Sequence, residues 1–275
     1  MRIIFVTDFH GDKQKYDTLI EVAKRTRTDL VINGGDMLPN KCDLFKQGDF
    51  ITDYIADHFL AFEKAKIHYL CFLGNDDLRI FDDIFSRTCS RFSHVIDLAQ
   101  RRVTIGQYEF IGMNYVVDYP FRLKDRCRKD TADYVLQYQQ GSALLSAPDG
   151  WQEITDWPGY INTLPTLEEE LGRLPELHDA SKTVYVIHMP PAKLNLDKCA
   201  SGDYVGSQAV YNFILKTQPR LTLHGHIHES PEVSGIWLAN ILNTTCIQPG
   251  QTLHGLIYVL GDLDTMQFKR VVANH

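Results

Sequence analysis

The sequence predicts an α/β fold, and three observations carry that expectation. Short apolar runs break off repeatedly in polar, glycine-containing turns. Stretches with helical spacing lie between them. The chain has 275 residues, 44% hydrophobic and 23% charged, ordinary globular composition with enough length for one large or two smaller domains. Alternation of strand, polar turn and helix places the chemistry at the carboxyl ends of the strands.

The first run, Ile3-Ile4-Phe5-Val6, is rich in β-branched residues and ends in Thr7-Asp8-Phe9-His10-Gly11, a buried strand running into a functional turn. Residues 13–27 follow as an amphipathic helix, with Leu19, Val22 and Ala23 on one face. A strand over 29–33 ends in Gly34-Gly35-Asp36. Ile51, Tyr54, Ile55, Phe59 and Phe62 fall three or four apart, which predicts one helix over 50–66. It leads into a strand over 68–73 that stops at Gly74-Asn75-Asp76-Asp77. The pattern resumes with strands over 183–187, before His188, and 221–224, before Gly225-His226-Ile227-His228. Residues 208–216 have helical spacing, and beyond 228 the chain is strand-like, with runs at 255–260 and 267–272. Between 114 and 182 lie Trp151, Trp157, several tyrosines and five prolines, Pro120, Pro148, Pro158, Pro165 and Pro175. Apolar residues there are too few and too interrupted to bury a core alone. The stretch is therefore read as a lid-like insertion over the core of a single domain spanning 1–275.

Charge and cysteine usage exclude several classes. Twenty-eight Lys and Arg against thirty-five Asp and Glu give a net charge of −7, which disfavours polymeric nucleic acid as partner. Six cysteines (Cys42, Cys71, Cys89, Cys127, Cys199, Cys246) lie far apart without a C-x-x-C pair, as expected of reduced thiols in a cytoplasmic protein. Residues 1–10 hold four apolar residues after a single Arg, far short of a signal-peptide core or of the ~18 apolar residues of a membrane span. Neither export nor membrane attachment is expected.

Eleven histidines remain, and their placement is informative. Five strand ends carry Asp8 with His10, Asp36, Asn75, His188, and His226 with His228. Oxygen and imidazole donors without a thiolate suit Mn, Fe, Zn or Ni better than a structural zinc site. In extended chain, residues two apart point the same way. This spacing predicts that Asp8 and His10 reach one ion together, and that His226 and His228 do likewise.

In this order, Asp8-Phe9-His10, Gly35-Asp36, Gly74-Asn75-Asp76-Asp77, His188 and Gly225-His226-Ile227-His228 resemble the five blocks of the calcineurin-like metallophosphoesterase superfamily, over residues 8–228. The resemblance implies a four-layer α/β/β/α sandwich with two divalent metal ions at one end of its two central sheets. It implies Asp8, His10 and His228 on one ion, Asn75, His188 and His226 on the other, Asp36 between them, and a metal-bridging hydroxide as nucleophile. Two cations roughly 3.5 to 4 Å apart would activate a shared water and neutralise charge developing on phosphorus oxygens. Family members that hydrolyse phosphomonoesters efficiently generally carry His after the metal-binding Asn, whereas this chain has Asp76. An ionised carboxylate neither donates a proton nor welcomes a dianionic substrate. The expectation is therefore a phosphodiesterase acting on a small soluble phosphoester, with Asp76 either taking part in catalysis or capping the next helix. The alternatives are a catalytically impaired metal-binding scaffold and a nuclease. The seven ligands argue against the first, and the net charge of −7 against the second.

Other residues near these blocks have two readings each. Asp77 and Glu229 would orient ligands, and His224 would either fix an imidazole or, more plainly, be a hydrogen-bonded strand histidine. Gly206 and Ser207 open the 208–216 helix, where Ser207 is a good cap and free amides form an anion site within reach of substrate. The basic run 122–129 reads as a solvated face, and 167–171 as an exposed acidic helix. Tyr115, Tyr119 and Phe121 would either stack on a nucleobase or pack the insertion onto the core.

Overall fold

The computed structural model describes residues 1–41 and 43–273, so Cys42 lies outside the described residues. The chain starts with β1 (Arg2–Val6), α1 (Lys13–Thr26), β2 (Leu30–Asn33), α2 (Gln47–Phe50), a π-helical turn (Ile51–Ile55), α3 (Ala56–Ala65), β3 (His68–Cys71), α4 (Asp82–Cys89) and β4 (Val95–Asp97). Next come β5 (Arg102–Ile105) and β6 (Tyr108–Met113). The 114–182 stretch holds β7 (Val116–Val117), β8 (Cys127–Arg128), β9 (Ala143–Ala147), β10 (Gly150–Ile154), α5 (Trp157–Ile161) and α6 (Leu167–Gly172). The remainder is β11 (Thr183–Ile187), α7 (Gln208–Thr217), β12 (Leu221–Leu223), α8 (Ser230–Ser234), β13 (Leu238–Ile241), β14 (Thr244–Ile247), β15 (Leu256–Asp262) and β16 (Gln267–Ala273).

Two six-stranded sheets result, ordered β16-β15-β1-β2-β3-β4 and β13-β14-β12-β11-β6-β5. Within them β1 to β4 run parallel, as do β6, β11, β12 and β14, so the turns carrying the sequence blocks leave the sheets on one side. The period of two along each strand assigns its faces. Ile3, Phe5, Leu30, Ile32, Leu70 and Phe72 meet Phe110, Val184, Val186, Leu221 and Leu223 between the sheets. Ile4, Val6, Val31, Tyr69 and Cys71 pack outward against Leu19, Phe59 and Phe85 of the helices. Ile111, Met113, Tyr185 and Ile187 pack on the opposite outer face with Val210 and Ile214 of α7 and with Trp157, Ile161, Leu167 and Leu171 of the 114–182 stretch. The molecule is thus an α/β/β/α sandwich.

Three expectations change. The single helix over 50–66 is divided by the π-helical turn, which keeps Ile51, Ile55, Phe59 and Phe62 buried along one face. The basic run is not a solvated face, because Lys124, Arg126 and Arg128 are buried and each meets a carboxylate, Asp118, Asp82 and Glu170 respectively. Arg128 also lies 3.9 Å from the centroid of the Tyr115 ring. Asp82 and Glu170 lie 44 and 42 residues from their cations, so a local reading of charge finds only the cations. For the same reason α6 is more than an exposed acidic helix, since Leu167 and Leu171 are buried and Glu170 takes Arg128. Among the described residues Cys71, Cys89, Cys127, Cys199 and Cys246 are free thiols, and no helix is long and apolar enough to cross a membrane.

Asp118 organises the 114–182 stretch by accepting from Lys124 Nζ at 2.8 Å, Gln139 Nε2 at 2.9 Å and Trp157 Nε1 at 3.0 Å. Asp118→Ala strands a fully buried ammonium and should cost about 3–5 kcal/mol in urea unfolding, whereas Asp118→Leu combined with Lys124→Met should cost far less. Equal losses would show that the pair is not the source of the penalty.

Candidate functional site

The site is built where parallel pairing continues past the ends of β1 and β2. The amides of Asp8 and His10 donate to the carbonyls of Gly35 and Asp36, both at 2.9 Å, so the two loops are stapled together. Asp8, His10 and Asp36 adopt left-handed conformations, with φ of 57°, 47° and 51°, and His226 does so at 70°. Residues with a Cβ rarely occupy this region, at a cost of about 1–3 kcal/mol each, and such strain concentrates at functional sites.

This geometry corrects the spacing argument. Asp8 and His10 converge through left-handed turns rather than through strand alternation. Asp8, His10 and Asp36 each offer an atom within 4.8 Å of the others, and so do Asp36, His188 and His226. Asp36 belongs to both groups. His226 and His228 do not act as a pair: His226 Nδ1 lies 2.7 Å from Asn75 Oδ1, whereas the half-exposed His228 ring lies 5.6 Å from that of His10, beside Glu229. Asn75 Oδ1 also lies 2.9 Å from His188 Nε2, and His188 Nδ1 donates to the Gly34 carbonyl at 2.6 Å, which leaves Nε2 facing the cleft.

The donors fit a cation on the evidence of their own environment. Asp8 Oδ2 and His10 Nε2 are buried without a hydrogen-bond partner, an arrangement that folded proteins avoid unless an ion or water satisfies it. Close approach is built into the backbone. A Cβ on Gly74 would stand 2.2 Å from Asp36 Oδ1, and one on Gly225 would stand 2.1 Å from Thr7 Oγ1.

Electrostatics follow from burial. Burial would raise the Asp36 pKa, but the facing His188, with His10, holds it well below the usual carboxylate range. Burial likewise opposes charge on His188, yet Asp36 raises its pKa to about 9. Burial, together with the charge of His188, pushes His226 down to about 3.

Asp76 faces this cleft. Its carboxylate accepts from Asn40 Nδ2 at 2.8 Å and Asn75 Nδ2 at 3.0 Å, while its amide donates to Asp36 Oδ1 at 2.9 Å. Burial and the charge of Asp36 raise its pKa. It caps no helix, because the next helical turn (Arg79–Phe81) begins after Leu78 without a side-chain cap. Asn40, which sequence reading missed, also approaches His10 Nδ1 at 2.9 Å. It lies in an irregular turn four residues after Asp36, without periodicity to flag it.

The neighbouring expectations divide. Asp77 touches no ligand side chain; it accepts from the amides of Met37, Leu38 and Gly74 at 2.7 to 2.9 Å, tying two ligand loops together. Burial, with the charge of Asp36, pushes its carboxyl up to about 7. His224 is buried, bonded to the Ile187 and Met189 carbonyls and to Thr222 Oγ1, and burial holds it at about 4. It is the hydrogen-bonded strand histidine rather than a support for His226. Ser207 caps α7 through the Val210 amide. The expected anion site is filled from within: the amides of Gln208 and Ala209 donate to Asp130, and that of Gly206 to Asp197. Glu229 accepts from the Ala200 amide at 3.2 Å and lies 3.4 Å from His228 Nδ1. A cavity of about 620 Å³ runs from Asp36, Asn75, Asp76 and His226 to Tyr119 and Phe121.

Comparison with known proteins agrees with this architecture. The chain aligns with the TT1561 protein of Thermus thermophilus at a TM-score of 0.58 and 14% identity, covering 98% of each chain. With a dimetal phosphatase from Danio rerio the TM-score is 0.54 at 10% identity, covering 100% of this chain and 96% of that one. Likeness at these identities is one of fold. No curated protein sequence matches this one. The family model for calcineurin-like phosphoesterases matches residues 1–230. Since that match takes in both sheets' ligand-bearing turns and most of the chain, the protein belongs to the calcineurin-like phosphoesterase family.

Proposed function

We propose that this metallophosphoesterase is a phosphodiesterase acting on a small soluble substrate through two divalent ions. One observation supports the two ions: two groups of three candidate ligand atoms share Asp36. Asp8, His10 and Asp36, with His228 beside them, would hold one ion; Asp36, Asn75, His188 and His226 would hold the other. Such ions supply Lewis acidity towards a phosphoryl oxygen and a nucleophilic water at neutral pH. The oxygen and imidazole donors suit Mn, Fe, Zn or Ni. A cavity of about 620 Å³ accommodates a small ester, and the free thiols support a cytoplasmic setting.

The chain's own contribution is the charge it adds at the reacting phosphorus. Asp76 stands beside the cleft where a proton donor would serve a monoester, and it is fixed there by Asn40 and Asn75. In its ionised form a carboxylate in that position repels a dianionic monoester more than a monoanionic diester, and the raised pKa of Asp76 moves the onset of that repulsion to higher pH. The Asp77 carboxylate, through the amides it gathers, holds the ligand loops at their spacing.

Two measurements test this reading. In the metal-free protein His188 keeps its proton up to about pH 9, while a metal ligand must be neutral. Titrating Mn²⁺ into weakly buffered metal-free protein near pH 7.5 should therefore release a proton, and the release should fade as pH rises through about 9. Binding without proton release, or release that survives His188→Asn, would remove His188 from the ligand set. With the metal-loaded protein, an aryl phosphodiester should be hydrolysed in preference to an aryl phosphomonoester. Asp76→His should raise monoester kcat/KM by about a hundredfold, the scale of a general acid. A wild type that prefers the monoester would overturn the phosphodiesterase assignment.

A further inference from the structure

We propose that the leaving-group half of the substrate is an uncharged aromatic alcohol seated against Tyr119 and Phe121, and that the cleft discriminates against esters carrying a second anion there. This rests on the phosphodiesterase reading above and names the substrate class for the same site.

The wall next to the ligand cluster is aromatic. The Tyr119 ring centroid lies 6.0 Å from that of His226, so the wall begins one ring away from a proposed metal ligand. Tyr119 is fixed: its hydroxyl donates to the Leu123 carbonyl at 2.6 Å, and Lys124 Nζ lies 4.8 Å from its ring centroid. Phe121 stands 5.8 Å from Tyr119, inclined at 51°, and is 61% exposed, so its face is open to a ligand. Pro120, Leu123 and Met189 line the same cavity. Two inclined rings beside a phosphoester site gain stacking and edge contacts from a flat partner.

Charge on the remaining wall points the same way. Among the described residues lining the cavity there is no Lys or Arg, while Asp203 and Glu229 are present in addition to Asp76. The nearest basic run is turned inward, with Lys124, Arg126 and Arg128 buried on Asp118, Asp82 and Glu170. Its exposed member Arg122 donates to the Ser142 carbonyl and lies 3.9 Å from Glu153. An anionic substituent on the leaving group would lose water beside carboxylates and meet no cation in return.

Two substrates separate these effects: 4-acetylphenyl methyl phosphate, uncharged on the ring, and 4-sulfophenyl methyl phosphate, charged on it. The metal-loaded wild type should show a KM for the acetyl ester about tenfold below that for the sulfo ester. Phe121→Ala should raise the acetyl KM by about tenfold, the scale of one lost stacking contact, while the carboxylates keep the sulfo ester the poorer substrate. Phe121→Arg should reverse the preference. Ligand-observed NMR supplies a readout apart from turnover, with 4-hydroxyacetophenone expected to bind more tightly than 4-hydroxybenzenesulfonate. KM values equal within about twofold in the wild type, or an acetyl KM unmoved in Phe121→Ala, overturn the inference. If an aryl monoester is hydrolysed and neither diester is, the phosphodiesterase reading falls. The two phenols then decide this proposal separately, tighter binding of the neutral one supporting it and equal binding overturning it.

Discussion

Carboxylates crowded at the ends of three adjacent strands set the terms for the rest of the molecule. Asp8, Asp36 and Asp77 are almost fully buried, and Asp76 follows Asn75 in the same turn. Buried like charges of this kind persist only where something else compensates them. Here Asp77 accepts from three backbone amides, His188 faces Asp36 at 3.4 Å, and one oxygen of Asp8 is left without a hydrogen-bond partner. Divalent metal would complete the balance, and the surrounding architecture holds the acids at the spacing such an ion needs.

That holding is mostly done by backbone. The loops after β1 and β2 continue the sheet pairing beyond the strands, and Asp77 stitches the second loop to the one after β3. Left-handed turns at Asp8, His10, Asp36 and His226 re-aim side chains that an extended strand would have sent elsewhere. Strain at four residues is supported by a three-layered core whose inter-sheet face, from Phe5 and Phe72 to Phe110 and Val186, fixes the strand ends.

The 114–182 stretch inverts a familiar surface pattern. Lys124, Arg126 and Arg128 point inward onto carboxylates, while Phe121 is left in solvent beside the cleft. With these three cations buried, the stretch presents an apolar, acid-flanked wall to whatever enters the cavity. Asp130 follows the same pattern: it fills the start of α7 from within, so that turn has no amides left for a phosphate.

The sequence alone was enough for the α/β fold class, which depends on local regularities, and it singled out strand-end residues that the structure brings together. Alternating apolar runs marked β1, β2, β3, β11 and β12, polar glycine turns marked Asp8, Asp36, Asn75 and His226, and the end of β11 marked His188. The short β4 and the pairing of β5 with β6 carry no comparable signal, and the π-helical turn hides inside an unbroken apolar stripe. Contacts between distant segments were also out of reach. Asn40 meets Asp76 across 36 residues, Arg126 meets Asp82 across 44, and Asp130 reaches the start of α7 across nearly eighty. Periodicity reports which way a side chain faces within its own strand or helix. Which carboxylate neutralises which buried cation, and which left-handed turn brings two ligands to one point, is settled only when the sheets pack and the loops are stapled together.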